Sequence, residues 1–130
     1  MGQNLRWIYV GWFGIITGAI LLQFYLAGYG VFGSHGLNDF GAHFVVGDLI
    51  GIAMIIGIGL AFAARVPWRL TIMNAGLVLL MIIQVVLAHT GIQVVSALHV
   101  VNGVLIFGGT IALVREATRF AQAGRAARAA

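Results

Sequence analysis

The stretch "AHFVVGDLIGIAMIIGIGLAFAA", Ala42–Ala64, carries one carboxylate, Asp48, and one histidine, His43, in an otherwise uncharged apolar run. A helix rises about 1.5 Å per residue, so this run is long enough to cross a hydrocarbon layer of about 30 Å. In lipid the backbone must satisfy its own hydrogen bonds, which makes a helix the natural reading. Three further runs qualify in the same way, at Tyr9–Val31, Leu70–Ala88 and Val94–Val114. No alternating short segments of the β-barrel kind occur. The sequence therefore predicts an all-α fold, a transmembrane four-helix bundle. It forms a single membrane domain over residues 1–130 with a basic tail at 115–130.

Composition supports this reading. Hydrophobic residues make up 62% of the chain and charged ones 8%, against about 25% charged in soluble domains. There is no cysteine, which excludes disulfides, thiolate metal ligands and a cysteine nucleophile. The run at the N-terminus is too long and too weakly basic in front for a cleaved signal peptide. Met1-Gly2 is followed by Arg6 where a myristoylation signal wants serine or threonine.

All the basic charge is arginine. Arg6 precedes the first run, Arg65 and Arg69 flank the "RVPWR" turn, and Arg115, Arg119, Arg125 and Arg128 follow the fourth run. The loops "FGSHGLNDFG" and "HTGIQ" have none. The positive-inside rule then predicts both termini in the cytoplasm and the arginine-free loops outside. The arginines are thus accounted for by topology and by anionic headgroups near the tail, and no nucleic-acid partner is expected.

The two halves repeat an order of residues. "LQFYLA" (Leu22–Ala27) and "IQVVLA" (Ile83–Ala88) are each followed by an outer loop, then by "AHFVVG" (Ala42–Gly47) and "LHVVNG" (Leu98–Gly103). Gln23 corresponds to Gln84, His43 to His99 and Gly47 to Gly103. This predicts two repeated helical hairpins of the same orientation, related by an axis along the membrane normal. His43 and His99 would then face each other at one depth. Two facing imidazoles suit the axial positions of a haem iron. The stripe His43, Gly47, Gly51 and the glycine Gly103 would leave room for a flat macrocycle. Gly11, Gly14 and Gly18 would provide close helix contact around it, and Phe24, Tyr25, Phe44 and Phe107 would cover its edges.

Other readings of the same residues stand beside this one. Small residues four apart are a common packing device in membranes, and an interfacial histidine often bonds only a neighbour. A zinc or copper site would use the same ligand type, with His35 and His89 as further histidines. Asp48 lies about 140° around the helix from His43, off its stripe. It suits an interhelical hydrogen bond to Asn74, Gln84 or Asn102, or else a proton path. Gln23 and Gln84 read as interhelical glue.

The order of glutamine, outer loop and histidine-opened span, made twice, resembles one four-helix half of the haem A synthase family. Small four-span bacterial membrane proteins also share it. The resemblance covers most of residues 22–109. It implies a haem held by His43 on the second span and His99 on the fourth. It departs from the family in having four spans rather than eight, Asp39 four residues before His43 where the catalytic half has a glutamate one turn ahead, and no loop cysteines. It therefore implies haem b binding more than oxidation of a haem methyl group.

The expected function is a membrane b-type cytochrome near the extracytoplasmic face of a bacterial inner membrane. It would be an electron carrier rather than a stand-alone enzyme, exchanging electrons with quinone or a redox partner complex, and it could be a homodimer. The alternatives are a non-catalytic subunit of a larger respiratory or photosynthetic complex, and an oligomeric transporter using Asp48.

Overall fold

The computed structural model describes residues 2–33 and 40–129, with side chains through 126. His35 and Asp39 lie outside the described residues. Four helices follow in order: α1 Gly2–Phe32, α2 Gly41–Ala63, α3 Trp68–Ala88 and α4 Gln93–Ala129. All four are long and apolar enough to cross a membrane. The fold is all-α, as the apolar runs require. α1 begins well before Tyr9, because an apolar run marks the lipid-crossing part of a helix and not its end. α4 continues through the basic tail, whose alanines favour helix.

Each helix packs on two neighbours. α1 lies between α2 and α4, α3 likewise, and the diagonal pairs make no close backbone approach. The result is a closed four-helix ring with short connections. Its centre is filled by Tyr9 and Phe13 from α1, Met54 from α2, Asn74 from α3, and Thr110 and Leu113 from α4, all fully buried. The outer faces are apolar too: Ile15, Phe62, Ile72 and Leu105 are among many large exposed hydrophobics. A continuous apolar exterior is incompatible with water and fits lipid. Gly11, Gly14 and Gly18 lie on this exterior. A Cβ at any of them would meet nothing within 4 Å, so they do not supply close contacts inside the bundle.

The start of α1, the α2–α3 turn and the end of α4 share one end of the bundle. Gln3 donates to the Ala121 carbonyl at 2.6 Å, and the Arg6 guanidinium lies over the Phe120 ring, 4.2 Å from its centroid. Gly124 makes this docking possible, because a Cβ there would overlap the Arg6 guanidinium. Glu116 accepts from Arg69 and Arg119, each at 2.7 Å. These exposed pairs contribute little, roughly 0–1 kcal/mol each, yet they show the three arginine-bearing segments together.

The α2–α3 turn closes α2 with two backbone bonds, Arg65 to the Phe62 carbonyl and Val66 to the Ala61 carbonyl, both 3.1 Å. This double closure needs a left-handed residue, usually glycine. Here Arg65 takes it, at φ 50°. A side chain in that conformation costs about 1 kcal/mol. Arg65→Gly should therefore raise the thermal unfolding midpoint of the detergent-solubilised protein, by a shift worth about 1 kcal/mol. A lower midpoint would mean that the arginine side chain itself holds the turn.

Candidate functional site

At the end opposite the arginines, the four helices part around a cavity of about 670 Å³. That is within the range of roughly 300–1,000 Å³ typical of small-molecule and cofactor sites. Its walls are mostly apolar, with Ile20, Phe24, Ile50, Met81, Val100 and Ile106 among them. The polar groups reaching it are Gln23, His43, Asp48, Gln84, His89, Ser96 and His99. Both expected histidines are therefore at one cavity, with ring centroids 6.0 Å apart and planes tilted by 59°.

Each ring is held from the preceding helix. His43 Nδ1 lies 3.2 Å from the Gln23 carbonyl oxygen, and His99 Nδ1 lies 3.1 Å from the Gln84 carbonyl oxygen. A carbonyl only accepts, so in both rings Nδ1 carries the proton and Nε2 carries the lone pair. The side chains of the same glutamines complete each clasp. Gln23 Nε2 donates to the His43 carbonyl at 2.9 Å, and Gln84 Nε2 lies 3.2 Å from His99 Nε2. Asn102 donates to the Leu80 carbonyl at 2.9 Å and to Gln84 Oε1 at 2.6 Å. The glutamines are interhelical glue, as their positions suggested, and they act directly on the histidines.

The glycines have a different neighbour from the one expected. A Cβ on Gly47 would stand 2.7 Å from Gln23 Nε2. One on Gly103 would stand 3.4 Å from Gln84 Nε2 and 3.5 Å from Phe24. Each glycine one turn below a histidine thus admits the glutamine that crosses to it. Both also line the cavity, whereas Gly51 does not; its Cβ position faces the Met81 methyl at 3.8 Å.

Among the aromatics, Phe24 and Phe44 line the cavity. Phe24 meets Phe107 edge-on at 5.9 Å, while Tyr25 stacks on Tyr29 and is exposed. His89 caps the end of α3, bonds the Val85 carbonyl at 2.8 Å through Nδ1, and faces Phe44 at 6.3 Å. Asp48 lines the same cavity despite its angular offset from His43, and bonds none of Asn74, Gln84 or Asn102. Among the described residues no three histidine or acidic side chains converge as a metal-ion site, so the zinc or copper reading finds no third ligand there.

The backbone carbonyls that orient the rings were invisible to residue-type reasoning, since any residue offers one. Their signal was positional: a glutamine in the same place before each histidine. Asn102 gave a further clue, as the polar residue standing where the first half has Val46. A family model described as "Family of unknown function (DUF6220)" matches residues 23–91, more than half of the chain. No curated protein and no solved structure matches it.

Proposed function

This chain belongs to the DUF6220 family, whose function is unknown, and from that premise we propose that it is a membrane b-type cytochrome. His43 on α2 and His99 on α4 would hold the iron of one haem, used for one-electron transfer. The observation that carries this reading is the pair of imidazoles across one cavity, each tied at Nδ1 to a backbone carbonyl. Metal-bound histidines characteristically donate their other ring nitrogen in this way, which fixes the tautomer and raises ligand basicity. The two ring centroids lie 6.0 Å apart across that cavity, close enough for both rings to reach one ion.

Haem, when bound, supplies a one-electron couple. The chain's residues do the rest. The Gln23 and Gln84 carbonyls aim the rings, and Gly47 and Gly103 let those helices come close enough to do so. The apolar walls would hold the macrocycle and limit water around it, a setting that raises a haem's potential. We read the two glutamine–histidine–glycine clasps as one half-site repeated in two hairpins. In this reading the cavity faces the extracytoplasmic side of a bacterial inner membrane and both termini the cytoplasm, and the arginines gathered at the opposite end support that orientation. Quinone or a partner complex exchanges the electron there.

A second reading, as a subunit of a larger respiratory or photosynthetic complex, is favoured by the open outward face of Gly11, Gly14 and Gly18. Such a face suits close packing of another membrane helix. Haem content tests the first reading. Protein purified from haem-replete cells should carry one haem b per chain, and a colourless preparation contradicts it.

A further inference from the structure

The two histidines are held alike at Nδ1 and differently at Nε2. His43 Nε2 has no hydrogen-bond partner among the described residues. His99 Nε2 faces the Gln84 amide nitrogen at 3.2 Å. The atom assignments along this chain of contacts are fixed by backbone carbonyls. The Leu80 carbonyl takes a proton from Asn102 Nδ2, so the Asn102 amine is the group facing Gln84. That amine needs an acceptor, so Gln84 turns its oxygen to it. The Gln84 amine is thereby turned to His99 Nε2, which must accept. The His99 proton then sits on Nδ1, where the Gln84 carbonyl takes it. Every member of the series has one consistent role.

The first half lacks this series for a sequence reason. Where the second half has Asn102, the first has Val46. With no amide to hold its oxygen, Gln23 sends its amine to the His43 backbone carbonyl, and its Oε1 is buried without a partner among the described residues. One substitution between otherwise similar half-sites separates a free lone pair from an engaged one.

We infer that His43 is the permanent ligand of this site and His99 the exchangeable one, with Gln84 competing for the His99 lone pair and Asn102 as the positioning residue that aims Gln84. This rests on the haem reading. Ligation by His99 must displace a hydrogen bond that ligation by His43 does not. The His99 side is then the side on which a small neutral molecule can take the place of the protein ligand.

Haemin titration of the purified full-length protein, followed by its absorption spectrum, separates the two roles. His43→Ala should lose about fivefold more haemin affinity than His99→Ala, because only His99 gives up a hydrogen bond in order to ligate. His99→Ala should retain haemin in a high-spin form. Gln84→Leu keeps the carbonyl that orients His99 but removes the competing amide, and Asn102 keeps its bond to Leu80. It should lower the carbon monoxide affinity of the reduced protein by about fivefold, the worth of one ordinary hydrogen bond. Asn102→Val, which copies Val46, should move it in the same direction. Equal losses for the two histidine variants, with carbon monoxide binding unaltered in Gln84→Leu and Asn102→Val, would overturn this inference while leaving the haem reading intact. Failure of the wild-type protein to bind haemin would overturn both.

Discussion

Replacing both histidines, His43→Ala with His99→Ala, should leave a folded protein that binds no haem. The two rings are half-buried at the rim of the cavity, outside the fully buried centre made by Tyr9, Phe13, Met54 and Leu113. Each ring contributes one neutral hydrogen bond to a helix carbonyl and His99 accepts a second from Gln84, each worth about 1 kcal/mol. Removing both costs little next to what the packed centre supplies. A haem held by these rings would lose both of its bonds to the protein, leaving only contact with the cavity walls. The difference should be plain in one preparation: an unchanged helical circular dichroism spectrum and no haem absorption. His35→Ala, by contrast, should keep its haem. Full haem occupancy in the double variant would place the ligands elsewhere.

The second large effect concerns the bundle's centre. Gly57→Ala should destabilise the protein by about 1–3 kcal/mol, the usual cost of overfilling a packed core. The added Cβ would lie 2.6 Å from Phe13 Cζ, 2.8 Å from Phe13 Cε2 and 3.1 Å from Asn74 Nδ2. Phe13 has nowhere to retreat, since it is fully buried and its ring lies 5.0 Å from that of Tyr9, equally buried. Gly59, two residues on, faces open space. Gly59→Ala should therefore be neutral or gain about 0.5–1 kcal/mol from the loss of glycine's freedom in the unfolded chain. Thermal unfolding in detergent measures both. Equal effects at the two positions would show that the close packing around Gly57 does not govern stability.

This pair also shows what could be read from the sequence. The four helices were legible because runs such as Ala42–Ala64 admit no other backbone arrangement in lipid. The clustering of arginines at one end was legible for a similar reason. The inward face of each helix was not. In a soluble helix a polar face marks the outside. Here both faces are apolar, so Gly57 in the core and Gly59 on the surface look alike. The same ambiguity placed Gly11, Gly14 and Gly18 inside, whereas they face outward. His43 and His99 stand out in the sequence because each follows a glutamine and precedes a glycine in the same order in both halves. Their partners were harder to name. The atoms that orient the rings are the Gln23 and Gln84 carbonyls, and a carbonyl has no residue signature. The repeated glycines were noticed, but their purpose depended on which neighbour crossed to them. That neighbour is a glutamine amide from the preceding helix.

In the proposed site His43 and His99 together ligate one iron. The reduced-minus-oxidised absorption spectrum of the purified wild-type protein tests it most directly. Two imidazole ligands should give the sharp, low-spin bands of a haem b. A protein without haem bands, or one whose haem stays high-spin in both oxidation states, would contradict it.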